Sequence, residues 1–155
     1  MAIEGLQRIL AAHPLFSNLS PAFLDMLAGC AKNTRFAADS YLFHEGDDAD
    51  QFYLVRDGHV ALEISAPGHG RMVFQTVGGG GVIGLSWLVP PYRWRFDAHA
   101  KEDTRAIAFD ATCLRGKCDT DPALGYAVMK QILPALVDRL HDTRVQMLDL
   151  YDART

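Results

Sequence analysis

From Arg35 to Phe109 the apolar residues of this 155-residue chain lose helical spacing. They fall into short extended runs at 41–43, 51–55, 59–65, 71–77, 96–100 and 104–109. Glu45-Gly46-Asp47, Asp57-Gly58 and Pro67-Gly68 separate several of them, and these are the residue types that tight turns require. Val60, Leu62 and Ile64 alternate with Ala61, Glu63 and Ser65, the period of a strand with one buried face. Many short strands closed by such turns imply a sandwich or barrel.

Helical spacing governs both flanks. Ile3, Leu6, Ile9 and Leu10 share one helical face, which His13-Pro14 ends. Ser20-Pro21 places a capping hydroxyl before a proline at the first helical position, and Phe23, Leu24, Leu27 and Ala28 supply the apolar face. After Phe109 the helical period returns, with Asp121-Pro122 as a start signal and a pattern running to about Tyr151. Pro134 lies inside it and is expected to kink or break the helix near Ile132 and Leu133. The chain thus reads as one domain over 1–155: helices over 1–34, a β-roll over 35–110, and helices over 111–155.

Several function classes fit poorly. Fifteen basic against 19 acidic residues give a net charge of −4, so there is no global attraction for nucleic acid. No apolar run approaches the roughly 20 residues that span a bilayer, and Glu4 sits where a signal peptide would carry basic residues. The three cysteines, Cys30, Cys113 and Cys118, form no even framework. They read as unpaired thiols in a reducing cytoplasm. No Cys or His spacing fits zinc, and no metal or cofactor is expected.

The densest chemistry lies in 76–100, TVGGGGVIGLSWLVPPYRWRFDAHA. A glycine-rich turn opens a short apolar segment that two prolines stop, and Arg93 and Arg95 follow. Unpaired N–H groups at the start of a helical turn attract anions, and an arginine can add bidentate bonds to a phosphate. On an extended segment Arg93 and Arg95 share one face and Trp94 takes the other. Either the arginines clamp a ligand with Trp94 stacking between them, or they form an exposed pair while Trp94 enters the core.

Other patterns in the chain lead nowhere. Gly79 to Gly84 spells GxGxxG, but Pro90-Pro91 arrive too soon for the long helix of a dinucleotide fold. Ser86 lacks the second glycine of a nucleophile elbow, since Leu88 holds that place, so no catalytic residue is expected. Glu45, Asp47, Asp48 and Asp50 do not continue into a calcium loop. His44, His59, His69 and His99 are scattered, and none is marked out as a haem ligand.

In its order of elements and its residues the chain resembles the cyclic-nucleotide-binding domain of the cyclic-AMP receptor protein and FNR family. His13-Pro14-Leu15-Phe16 with Leu19-Ser20-Pro21 is similar to the family's entry helix and turn. Phe43-His44-Glu45-Gly46-Asp47 is similar to its first β-turn, and residues 52–60, FYLVRDGHV, to its central hairpin. The resemblance implies a mainly β α+β fold, a double-stranded β-helix or jelly-roll β-roll with N-terminal helices and a long C-terminal helix. It also implies a phosphate-binding cassette over 78–97, with Gly84, Leu85, Ser86, Trp87, Arg93, Trp94 and Arg95 as ligand-binding candidates. The ligand would be a cyclic nucleotide or another small phosphate-bearing molecule.

Two departures stand out. The family glutamate that accepts from the ribose 2′-hydroxyl corresponds to Leu85, and an unpaired buried hydroxyl costs about 1–3 kcal/mol. The phosphate arginine falls on Arg95 counting forward from Gly84, and on Trp94 counting back from Ala100. The second departure is that only 152–155 follow Tyr151, where full-length regulators place a helix-turn-helix domain, so DNA is not expected to be read by that route.

Leu133, Val137, Leu140, Arg144, Met147 and Tyr151 follow alternating steps of four and three, the spacing of a coiled-coil seam. With the resemblance this implies a homodimer, in which Arg144 would need Asp138 or Asp142 of the other chain. The resulting expectation is a non-enzymatic small-ligand sensor or regulatory domain that signals through its C-terminal helix to a protein partner, away from membranes. The alternative is a ligand-free interaction and dimerisation module whose pocket is filled by Leu85, Trp87, Tyr92 and Trp94.

Overall fold

A computed structural model describes residues 2–14 and 16–154, with side chains over 5–150. Leu15 and the side chains of Ile3 and Tyr151, invoked above, lie outside the described residues. Helices α1 (Ala2–Ala12) and α2 (Pro21–Ala28) precede eight strands, and α3 (Ala111–Thr120) and α4 (Pro122–Arg154) close the chain.

Strands β1 (Ala31–Phe36), β8 (Thr104–Asp110), β3 (Gln51–Asp57) and β6 (Val82–Ile83) form one sheet in that order. Strands β2 (Tyr41–Phe43), β7 (Asp97–Ala100), β4 (Val60–Ala66) and β5 (Gly70–Val77) form the second. Every pairing is antiparallel. The mainly β roll with flanking helices is therefore the fold that the turns and periods imply.

Aromatic rings show how the layers pack. Between the sheets, Phe36 meets Tyr53 edge-on at 5.5 Å, Phe43 stacks on Tyr53 at 6.4 Å, and Trp94 stacks on Phe43 at 3.7 Å. On the helix-facing side of the first sheet, Phe52 lies between Phe109 at 4.5 Å and Trp87 at 4.8 Å, and Phe16 covers Phe109. Antiparallel register places Phe52 opposite Phe109 and Tyr53 opposite Ala108, so successive residues of β3 feed the two layers alternately.

The turn and cap signals act as the residue types dictate. Ser20 accepts the Phe23 amide, and Asp110 accepts the Cys113 amide at 2.9 Å. Asp121 accepts from Ala123 and Leu124, with Pro122 opening α4. Gly58 sits at φ +106°, where an added Cβ would come within 2.5 Å of Thr104 Oγ1. Only glycine fits that hairpin.

Four expectations are corrected. The roll starts at Ala31, inside the stretch read as helical; β1 (AKNTRF) holds few large apolar residues, so its alternation is faint. The two-residue β6 is too short to register as a period. Helix α4 continues unbroken through Pro134, which is exposed, so the carbonyl freed by the missing N–H can be met by water. Cys30 and Cys113 are joined as a disulfide between the start of β1 and the first turn of α3, with Cα atoms 5.9 Å apart; Cys118 is the free thiol. Their separation of 83 residues carries no sequence signal for pairing.

Leu124, Val128 and Ile132 bury the first turns of α4 at intervals of four. From Leu133 to Leu150 every described side chain is exposed except that of Arg139, which is half-buried.

Candidate functional site

The cassette is built from the end of the glycine run. Its backbone runs alongside β3: Gly80 donates to the Val55 carbonyl at 2.8 Å, and Val55 donates to that of Gly81 at 2.9 Å. Gly84 then takes φ +103°, and Ser86–Leu88 form a single 3-10 turn. Val89 closes toward Tyr92, whose amide donates to the Val89 carbonyl at 2.9 Å. Tyr92 is left-handed at φ 57°, costly for a residue with a Cβ. Two contacts hold it there: the Ala49 amide donates to its carbonyl at 2.7 Å, and Arg115 of α3 lies 4.4 Å over its ring.

The segment after Tyr92 pairs with the acidic turn before β3. Trp94 donates to Asp47 at 2.9 Å and accepts from Gly46 at 2.8 Å. Arg93 and Trp94 consequently point to opposite sides. Arg93 is solvent-facing, donating to the Gly46 carbonyl at 2.9 Å and pairing with Asp48 at 3.3 Å. Arg95 is also exposed and makes no hydrogen bond or ion pair among the described residues. Trp94 is 3% exposed.

The indole of Trp94 fills the space in front of Gly84. A Cβ added at Gly84 would lie 2.2 Å from Trp94 Cη2 and 2.5 Å from Cζ3. Phe43 backs the indole at 3.7 Å in a nearly parallel stack, so the ring is held from both sides. Leu85 packs against the hydrophobic core, and Trp87 is fully buried on Phe52. Of the sequence candidates, Trp94 alone packs against Gly84, while Leu85 joins the core and Trp87 lies on Phe52 at the helix-facing side of the first sheet. Ser86 is half-buried at the start of the 3-10 turn, and Arg93 and Arg95 lie outside. Between the two residues reached by counting, Trp94 is the one that lies against Gly84, and Arg95 is exposed.

Two arginines that the sequence did not single out tie this cluster to the C-terminal helices. Arg115 donates to the Trp87 carbonyl at 2.7 Å. Arg139 of α4 donates to the carbonyl of Val82 in β6 at 3.1 Å, and burial lowers its pKa from the ordinary arginine value. Single arginines in helical segments have no spacing that would reveal such contacts. The Trp87 indole N–H is buried with no partner among the described residues. Those residues also hold no group of three or more His, Cys, Asp or Glu arranged for a metal ion, and no helix long and apolar enough to cross a membrane.

Comparison with known proteins agrees with this architecture. The chain is 23% identical over 94% of its length to a CRP-like cAMP-activated global transcriptional regulator of Mycobacterium tuberculosis, and spans 63% of that protein. A putative cyclic nucleotide-binding protein from Geobacter metallireducens superposes with a TM-score of 0.77 at 26% identity, covering 91% of this chain and 99% of its own. A cyclic nucleotide-binding domain from Methylobacillus flagellatus superposes with a TM-score of 0.79 at 23% identity, covering 94% and 82%. The family model for the cyclic nucleotide-binding domain matches residues 33–121, from β1 through the roll and cassette to the end of α3, and the chain belongs to that family.

Proposed function

We propose that this chain is a regulatory domain of the cyclic nucleotide-binding type whose cassette is closed by its own side chains, and which dimerises and signals through α4. The observation that carries this reading is the Trp94 indole in front of Gly84. A cyclic phosphate seated on the cassette backbone would need that volume. Leu85 offers no acceptor for a ribose hydroxyl, and Arg95 faces away from the slot.

Opening the slot means withdrawing a buried tryptophan from the Phe43 stack. Truncation of such residues costs about 3–5 kcal/mol, a guide to the interactions forfeited. At the unaided cassette a nucleotide would forfeit that amount before gaining any contact, which weakens a micromolar affinity to about 0.2–5 mM, and the missing ribose acceptor at Leu85 weakens it further.

The output surface is α4. Leu133, Val137, Leu140 and Met147 are 49%, 62%, 49% and 52% exposed in the single chain, with Arg144 exposed between them. A stripe of that kind on a protruding helix is the face a second copy covers in a parallel seam. Arg115 and Arg139 link the cassette to α3 and α4, so a change in one is felt by the other.

Calorimetric titration with cyclic AMP and cyclic GMP tests the closed cassette. Silence to millimolar nucleotide is expected, and Leu85→Glu is expected to lower the melting temperature without producing binding, because it buries a charge against the core. Saturable micromolar binding by the wild-type chain would overturn the reading and restore a nucleotide sensor.

A further inference from the structure

One end of the first sheet carries a basic cluster remote in role from the cassette. Strands β1 and β8 place Arg35 directly opposite Arg105. Like charges directly opposite on an antiparallel pair are destabilising. Arg56 of β3 joins them, and the three arginines line a depression of about 310 Å³ together with Asn33, Thr34 and Ala106.

The carboxylates nearby do not balance this charge. Glu102 pairs with His59, and Asp103 accepts the Ala38 amide at 2.9 Å. Asp57 alone reaches the cluster, 3.8 Å from Arg105, and both side chains are more than half exposed. Such a pair contributes little. The side chains of Arg35 and Arg56 make no hydrogen bond or ion pair among the described residues. A chain of net charge −4 thus concentrates three of its positive charges in one concavity.

We infer that this depression is a binding site for a small, multiply charged oxyanion bearing phosphate or carboxylate groups. Guanidinium forks match the paired oxygens of both groups, and three around one concavity meet a ligand with more than one negative charge. Asn33, on the same face of β1 as Arg35, adds a neutral side chain able to donate to a remaining oxygen. The volume is at the lower end of small-molecule pockets, which suits a compact ligand rather than a polymer segment. Bound anion also offsets the repulsion between Arg35 and Arg105.

The test is thermal melting of the full chain in sodium pyrophosphate and in citrate, each against sodium chloride at matched ionic strength. A saturable rise in melting temperature with at least one anion is expected, pyrophosphate alone marking a phosphate ligand and citrate alone a carboxylate one. Arg35→Gln should abolish the rise, and should itself fold, since it relieves a like-charge contact. Arg35→Lys keeps the charge but loses the fork, and should weaken binding several-fold. Amide chemical-shift changes with pyrophosphate should centre on β1, β3 and β8. A melting temperature that follows ionic strength alone, a response that persists in Arg35→Gln, or shifts centred elsewhere would each overturn the inference.

Discussion

Gly84→Ala offers a sharp measure of whether the cassette is closed, because its cost depends on a side chain ten residues away. The new methyl group would meet Trp94 at 2.2 and 2.5 Å, where carbon atoms ordinarily rest about 3.5–4.0 Å apart. Trp94 cannot retreat freely, since Phe43 stacks behind it at 3.7 Å. Overpacking of this kind costs about 1–3 kcal/mol. Placing a Cβ at φ +103° adds about 1–3 kcal/mol of backbone strain.

The two parts separate in a double-mutant cycle. Trp94→Leu shortens the side chain below the reach of the clash, at a cost smaller than the about 3–5 kcal/mol of truncation to alanine. In that background Gly84→Ala retains only its backbone strain, so the two substitutions couple by about 1–3 kcal/mol. Urea unfolding of the four proteins, followed by far-ultraviolet circular dichroism, gives the coupling directly. Additivity within about 0.5 kcal/mol would mean that Trp94 does not occupy the space before Gly84, and the closed cassette would fall.

Three further outcomes are expected. Leu140→Asp places a charge in the proposed α4 seam and should convert a dimer to a monomer in sedimentation; a monomeric wild type would sink the seam before any substitution. Reduction of the Cys30–Cys113 disulfide, which closes a loop of 83 residues, should cost about 2–4 kcal/mol and lower the melting temperature, whereas three free thiols in the unreduced protein would contradict the pairing. Tyr53, whose hydroxyl donates to Gln51, is pushed up to about 12 by burial and the nearby Asp50, so one of the five tyrosines should titrate late by ultraviolet absorbance. In the unfolded chain that phenol ionises near 10, so its contribution is present below pH 10 and is lost as pH rises toward 12. Ionisation of all five tyrosines together near pH 10 would contradict the burial.

The sequence by itself determined the layers of this protein. Alternation along β4, glycine at Gly58 and the Ser20-Pro21 and Asp121-Pro122 starts are local rules, each satisfied within a few residues of chain, so they are legible without the fold. The position of the cassette is legible for the same reason. Its content is not. Whether Trp94 or Arg95 faces Gly84 depends on how 92–94 pair with 46–49, half the roll away in sequence, and a one-residue change of register exchanges inside for outside. Cys30 meets Cys113, Arg35 meets Arg105, and Arg139 reaches Val82 only because antiparallel pairing and helix docking bring distant segments together. Composition and spacing carry no record of such meetings. The tertiary structure decided them because burial and strand register act on the whole chain at once.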